Sequence, residues 1–283
     1  MYLTLAWLLF YELDPYAIAK LAGAEAVAYY SIGLTCLAFF RSIFGTLFNP
    51  FNARFNHFIA RSDFSGLNSL TKNVICILLP AVVFPTLSLA LLSKPFVYSW
   101  VGNGFEQSVK IVTLLSLCNI FGFINYPAGI LAVATKRINF IYIISTVQII
   151  IYWGGISIFF HRLGYIVFAY FELTCFTVTS ILYTYLICRF LKASLFWFIK
   201  TIIAPAILPT ILLIVMLLFI RNYLPAEKSK LYMLEVFLSA IGSVIPAVFL
   251  YYFTSNIFRN YINQLLVRVK YSFANFISKK YIH

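Results

Sequence analysis

The chain has 283 residues, of which 63% are hydrophobic and only 10% are charged, and its formal net charge is +13. With a mean hydropathy of +0.93, including 30 Phe and 20 Tyr, it holds more apolar surface than a soluble core of this length can bury, which excludes a soluble globular protein. Apolar runs of about 20 residues recur along the chain and are continuous rather than alternating, as in helical spans and unlike barrel strands. The sequence therefore predicts an all-α polytopic membrane protein.

The apolar runs predict eight membrane-spanning helices, because each is long enough to cross a hydrocarbon core of about 30 Å. The first ten residues contain no basic n-region and no cleavage site, so we expect a first span rather than a cleaved signal peptide. Spans 1 to 6 are expected to form a six-helix lobe (1–192), spans 7 and 8 a peripheral pair (193–255), and the remainder (256–283) a basic cytoplasmic tail. The predicted spans, in chain order, are 1–20, 26–52, 73–93, 109–133, 138–160, 164–187, 200–220 and 232–254.

Basic residues are distributed unequally between the two ends of the predicted bundle. One end carries seven basic residues and the other carries thirteen. By the positive-inside rule, the end with thirteen is cytoplasmic, and both termini are expected to lie there. The bases lie in separate short loops without interleaved aromatic residues, which argues against a nucleic-acid partner. The richer end carries thirteen bases: Arg54, Arg61, Lys72, Lys136, Arg137, Arg189, Lys192, Lys200, Arg259, Arg268, Lys270, Lys279 and Lys280.

Span 1 contains two acidic residues and a proline, in the stretch LLFYELDPYAIAK (8–20). A charge near the bilayer centre is costly unless it faces protein or water. Pro15 cannot donate a backbone hydrogen bond, so we expect a kink there. Glu12 and Asp14 would point about 200° apart on a regular helix, so we expect only Asp14 to face a polar pocket. The alternative is that both acids pair with Lys20 or with lipid headgroups at a frayed end.

Span 2 carries a polar stripe and one arginine. Arg41 borders the stripe, and because a guanidinium stays ionised, it requires an anion. We expect Arg41 to face an anion-binding cavity; the alternative is a structural ion pair with Asp14 or Glu172. The stripe itself either packs closely against another helix or lines a hydrated path. Its members recur at three- and four-residue steps: Ser31, Thr35, Ala38, Ser42, Gly45, Thr46, Asn49, Asn52 and Asn56.

Spans 4 and 6 supply the remaining candidates. Span 4 places Asn119 and Tyr126 at helical spacing next to a second potential kink at Pro127, and span 6 contains Glu172 within an apolar run. We predict no catalytic residue, no metal site and no cofactor, because the five cysteines lack ligand spacing and the three histidines lie at span ends or in the tail. The predicted substrate-binding cavity residues are Arg41, Asp14, Glu12, Glu172, Asn49, Asn119 and Tyr126.

Four stretches carry a resemblance to a known family. ELDPYAIAKLAGAEAVAYYSIG (12–33) resembles a segment of polysaccharide exporters in which an acidic helix leads through a Gly-Ala loop into the next helix. Three further stretches are similar to the helix end, the outer loop and the basic turn of these exporters. They are, in that order, FNPFNARFNHFIARSDFSGL, PFVYSWVGNGFEQSVKIVTLLS and AVATKRINFIYIISTVQIII. The family is that of the Wzx-type O-antigen flippases, within the multidrug/oligosaccharidyl-lipid/polysaccharide exporter superfamily. The resemblance covers roughly residues 8–192.

The resemblance implies a fold and a function. Family members have two six-helix lobes, often with two further helices, around a central cavity, and this chain is similar to the second lobe plus the extra pair. It implies translocation of undecaprenyl-diphosphate-linked oligosaccharide across a bacterial inner membrane, with no enzymatic step, beside a separate first-lobe polypeptide or a second copy. Partners would be this lipid-linked oligosaccharide and membrane lipids. The alternatives are a drug or cation antiporter of the same superfamily, a membrane polysaccharide polymerase or acyltransferase, and an inactive fragment.

Overall fold

The computed structural model describes residues 2–225 and 227–267, and every regular element in them is a helix. The last predicted segment is helical over 256–267, and its remaining part, 268–283, lies outside the described residues. Helical turns of other pitch occupy Leu8–Glu12 (π), Asn103–Phe105 (3₁₀) and Ile199–Ile203 (π). The α-helices are α1 (Tyr2–Trp7), α2 (Asp14–Ala22), α3 (Ala24–Ala60), α4 (Phe64–Leu91), α5 (Ser93–Trp100), α6 (Glu106–Gly122), α7 (Asn125–Ala134), α8 (Ile138–Leu163), α9 (Ile166–Phe190), α10 (Leu195–Phe198), α11 (Ala204–Arg221) and α12 (Lys230–Thr254).

Six helices of the described residues are long and apolar enough to cross a membrane: α3, α4, α8, α9, the continuous run Leu195–Arg221, and α12. A seventh span results if α6 and α7 are counted together, since they pass the same test as a pair bent by 42°. The all-α polytopic prediction is thereby confirmed. The count differs from the predicted eight because residues 1–20 do not form one long helix.

The first predicted span is divided into α1, a π-helical turn and α2. Pro15 lies in the first turn of α2, where its missing N–H would have no partner in any case. Leu13 separates the π-helical turn from α2, so the interruption predicted at Pro15 occurs immediately before it. The second predicted kink lies between α6 and α7, and Pro127 is in the first turn of α7.

Helix α6 lies at the centre of the bundle and packs against α3, α4 and α9. Around it, α2 packs on α3, α8 packs on α9, and α1 contacts α8. Helices α11 and α12 pack on each other and on α4, with α12 also contacting α5. These neighbours agree with a six-helix lobe that has a helix pair at its side, whereas the predicted segment boundaries at 192 and 255 stay predictions.

The buried side chains form two main apolar clusters. One lies where α4 meets the second half of α3, α7, the end of α9, α11 and α12, and it contains Phe48, Val74 and Tyr251. The other lies between α2, α3, α6, α8 and α9, and it contains Phe10 and Phe168. The second cluster encloses the acidic residues described next, so it determines how far they are from water.

Candidate functional site

Two acidic side chains meet inside the lobe. Asp14, at the start of α2, and Glu172, in α9, are each only 1% exposed. The hydroxyl of Tyr30, from α3, lies 3.1 Å from Asp14 Oδ2 and 3.4 Å from Glu172 Oε2. The hydroxyl of Tyr152, from α8, donates to Asp14 Oδ2 at 2.6 Å. Two pairs of consecutive helices, α2 with α3 and α8 with α9, therefore converge on one polar cluster, in which we call Asp14 and Glu172 the carboxyl pair.

Aromatic rings seal the carboxyl pair from its surroundings. Phe10 lies 4.9 Å from the Tyr152 ring, measured between centroids, and Phe168 lies 6.2 Å from Tyr30 and 6.4 Å from Tyr152. Phe10 and Phe168 are themselves buried. The environment is consequently of low dielectric, in which an ionised carboxylate requires a partner of opposite charge or several strong hydrogen bonds.

The hydrogen bonds available to the carboxyl pair are too few for two carboxylates. Tyr30 has one hydroxyl proton to share between Asp14 and Glu172, and Asp14 Oδ1 is buried without any hydrogen-bond partner. Among the described residues, no Lys, Arg or His nitrogen lies within 4.0 Å of either carboxyl group. Two ionised carboxylates that share one tyrosine hydroxyl in this enclosed site would repel each other, so we expect the pair to hold a proton.

Arg41 is held by aromatic rings. Its guanidinium carbon lies 4.9 Å from the centroid of Trp7 and 4.5 Å from that of Tyr11, a cation–π arrangement. The hydroxyl of Tyr126 donates to the Arg41 carbonyl at 3.3 Å, and its ring stacks on Phe48 with centroids 5.0 Å apart. We call Arg41, Trp7 and Tyr11 the arginine clamp.

The structure bears on one of the two sequence-based expectations for Arg41, and the anion-binding cavity stays a prediction. In the part of the chain that the structure describes, Arg41 forms no ion pair with Asp14 or Glu172, whose nearest hydrogen-bond partners are tyrosines. The alternative of a structural ion pair is therefore wrong for this conformation. The guanidinium is half-buried at the edge of the lobe, so it can still reach an anion from outside.

The polar stripe of α3 points away from the lobe interior. Ser31, Thr35, Ser42, Thr46 and Asn49 are all exposed. The hydroxyls of Ser31, Thr35 and Thr46 donate to carbonyls of their own helix, at 2.8 to 3.0 Å. The stripe is thus not a packing surface for α11 and α12, and Arg41 lies between it and the buried face of α3.

The predicted cavity residues separate into groups. Asp14 and Glu172 come together but are enclosed by protein and do not line an open cavity, because Tyr30 and Tyr152 close over them. Glu12, in the π-helical turn before Asp14, is exposed. Asn49 is exposed on the stripe, and Asn119 is buried in α6 with its Nδ2 atom unpartnered. Tyr126 reaches Arg41 only through the backbone carbonyl.

Four residues that complete these groups are absent from the predicted set: Tyr30, Tyr152, Trp7 and Tyr11. A signal for Tyr30 does exist, because it lies on the same helical face as Leu37 and Phe44, which are buried. A tyrosine on a buried face requires a partner for its hydroxyl. The identity of that partner depends on α2 and α9, which no local pattern connects.

A large apolar groove lies on the other side of α3. It has a volume of about 740 Å³ and is bounded by α3, α4, α5 and α12, with Phe39, Ile43, Phe96 and Phe237 among its lining residues. Arg41 does not line it. The groove is therefore separate from the arginine clamp and is lined by side chains suited to apolar contact only.

No protein-family model, curated protein or solved structure matches the chain. The Wzx-type resemblance therefore stays a prediction. All five cysteines are free and buried, as expected for small core side chains. Among residues 2–225 and 227–267, no cluster of three or more His, Cys, Asp or Glu side chains is arranged to hold a metal ion.

Proposed function

We propose that this protein takes part in moving an undecaprenyl-diphosphate-linked oligosaccharide across a bacterial inner membrane, with both termini on the cytoplasmic side. The observation that carries the proposal is Arg41, a permanent positive charge on a membrane-spanning helix that forms no ion pair within 4.0 Å among the described residues. The Wzx-type resemblance supports the substrate class. The membrane and the orientation rest on that resemblance and on the distribution of basic loops.

In this proposal Arg41 attracts the diphosphate of the substrate. A guanidinium offers planar, paired donors that match phosphate oxygens, and its charge cannot be lost by deprotonation. Trp7 and Tyr11 hold the guanidinium over their faces, which leaves its N–H edges available to an anion. The exposed hydroxyl and amide groups of the α3 stripe, including Asn49, lie on the adjoining surface and would meet the sugars.

The carboxyl pair supports the transport class independently of the substrate. Ionisable groups enclosed within membrane-spanning helices are costly and commonly serve ion pathways or conformational coupling. Asp14 lies at the break in span 1, and broken helices are typical of transporter segments that move. Protonation or deprotonation of the pair would therefore act on the broken first span, whose earlier elements carry Trp7 and Tyr11.

The test compares binding with membrane abundance in the full-length protein. Arg41→Ala should lower the affinity of the purified, nanodisc-embedded protein for an undecaprenyl-diphosphate oligosaccharide at least tenfold, since a charge-assisted hydrogen bond contributes about 1.5–3 kcal/mol. Arg41→Lys should retain part of the affinity. Lys110→Ala is the matched control, because Lys110 also lies over an aromatic ring, that of Tyr170, at 5.2 Å. Unchanged binding in Arg41→Ala, at normal abundance, would refute the proposal.

A second candidate, a drug or cation antiporter of the same superfamily, is favoured by one observation. The carboxyl pair has no cationic partner among the described residues, and a cationic substrate or ion could supply one. In that case Asp14→Asn and Glu172→Gln should abolish binding of the cation, whereas Arg41→Ala should leave it unchanged or improve it. The same set of variants therefore separates the two candidates.

A further inference from the structure

A second polar pocket lies at the end of the α3–α4 hairpin, away from both the carboxyl pair and the arginine clamp. Helix α3 has 37 residues and is about 55 Å long, so it extends well beyond a hydrocarbon core of about 30 Å. Its polar C-terminal turns and the polar first turns of α4 project together at the end of the bundle that is richer in basic residues. The pocket between them has a volume of about 580 Å³.

The pocket combines donors from both helices with an apolar wall. Arg54 and His57 line it from α3, and Ser69 and Asn73 line it from α4. Phe58 and Leu70 form part of the remaining surface. Arg54 and His57 are exposed and lie three positions apart, so both side chains leave the same face of α3. This composition suits a phosphate group joined to an apolar stem.

The acidic residue closest to the pocket in sequence is already engaged. Asp63, the N-cap of α4, accepts a hydrogen bond from the backbone N–H of Gly66 at 2.9 Å and another from the Ser65 hydroxyl at 2.8 Å, both through Oδ1. Through these bonds, the Asp63 carboxylate caps the N-terminus of α4. No ion pair joins Arg54 to an acidic side chain in the described ranges.

The hairpin is held close enough to shape the pocket. A Cβ atom added to Gly66 would lie 2.4 Å from the ring of Phe58 and 2.5 Å from Asp63 Oδ2. Glycine at this position thus lets the first turn of α4 approach the last turns of α3. The pocket is consequently a groove between two closely packed helix ends.

We propose that this hairpin pocket binds the phosphate of an anionic phospholipid headgroup, with Arg54 as the principal contact. Basic pockets between membrane helices are typical sites for anionic headgroups, and Lys72, whose ammonium nitrogen lies 4.7 Å from the Trp197 ring, adds positive charge on α4. The lipid is favoured over free phosphate because Phe58 and Leu70 provide apolar contact for the chain below the headgroup. The inference is independent of the proposed transport function.

The test measures lipid binding to full-length protein in mixed micelles by native mass spectrometry, with phosphatidylglycerol as the probe and phosphatidylcholine as the neutral reference. Arg54→Gln should lower the apparent affinity for phosphatidylglycerol about tenfold. Arg61→Gln is the matched control, because Arg61 is an exposed basic residue near the end of the same hairpin but does not line the pocket; it should change the affinity less than about twofold.

A third variant tests whether lipid binding depends on the shape of the pocket when its charge is unchanged. Ser69→Phe fills the groove from α4 without removing a basic residue, and it should weaken phosphatidylglycerol binding as well. Equal losses in Arg54→Gln and Arg61→Gln would show diffuse surface attraction and overturn the proposal. Equal binding of phosphatidylcholine, or displacement of the lipid by millimolar inorganic phosphate, would overturn the assignment to an anionic lipid.

Discussion

The carboxyl pair and the arginine clamp both contain ionisable side chains within the membrane-spanning part of one lobe, but the surroundings of these side chains differ. Asp14 and Glu172 are almost completely enclosed and, among the described residues, accept side-chain hydrogen bonds from tyrosine hydroxyls only, whereas Arg41 is half-buried against two aromatic faces. A carboxyl group can become neutral by taking up a proton, but a guanidinium cannot. Acidic residues can therefore be enclosed without cations, while the arginine is kept where an external anion can approach.

The largest effect is expected from removing the hydroxyls that satisfy the carboxyl pair. The double change Tyr30→Phe and Tyr152→Phe leaves Asp14 without hydrogen-bond donors, and each lost bond to a buried partner costs about 1–3 kcal/mol. The free energy of unfolding in detergent should fall by about 3 kcal/mol. Tyr16→Phe is the control, because Tyr16 is 77% exposed. A double variant as stable as that control would mean that the tyrosines do not support the carboxyl pair.

A smaller effect is expected at the arginine clamp. Trp7→Leu keeps an apolar side chain but removes the better of the two ring faces, and a cation–π contact is worth about 0.5–2 kcal/mol according to its exposure. Thermal stability should fall slightly, and the affinity for a lipid-linked diphosphate should fall up to about tenfold. Phe39→Leu, at a 63% exposed position on α3, provides the reference. If Trp7→Leu has no greater effect than Phe39→Leu, Trp7 does not contribute to the function of Arg41.

The smallest effect is expected at Asp63, an acidic residue outside the membrane-spanning segments. The hydrogen bonds from the Gly66 N–H and the Ser65 hydroxyl hold the pKa of Asp63 below its ordinary value of 3.8. Because the folded state has the lower pKa, the ionised cap stabilises α4 at neutral pH, and this contribution is lost as pH falls below about 4. The advantage of wild type over Asp63→Ala in thermal unfolding should shrink on acidification. An advantage independent of pH would contradict an ionised cap.

The sequence predicted those features that depend on local chemistry. Continuous apolar runs indicated helical spans, and the missing N–H of Pro15 indicated the break in span 1. The expectation that only Asp14 of the two acids in span 1 faces inward agrees with its burial and with the exposure of Glu12. Each of these conclusions follows from helical geometry over fewer than ten residues or from average hydropathy, so no knowledge of the tertiary structure was required.

The composition of the site could not be predicted in the same way. The hydrogen bond between Tyr152 and Asp14 joins residues 138 positions apart, and that between Tyr30 and Glu172 joins residues 142 positions apart. Arg41 was expected to face an anion-binding cavity, with an ion pair to an acid as the alternative, but neither pattern predicted the Trp7 and Tyr11 rings that lie 4.9 Å and 4.5 Å from its guanidinium carbon. Such partners depend on how the helices pack against each other. The polar stripe of α3 contains no information about that packing.

The most direct test of the contrast between the two regions is the protonation state of the carboxyl pair at neutral pH. Infrared spectroscopy of the purified protein at pH 7 should reveal a protonated carboxylic acid carbonyl band that disappears in Asp14→Asn or Glu172→Gln and persists in Asp63→Asn. That result would mean that the interior acids are neutralised by a proton while Arg41 stays charged. A spectrum in which both Asp14 and Glu172 contribute only ionised carboxylate bands would contradict the account.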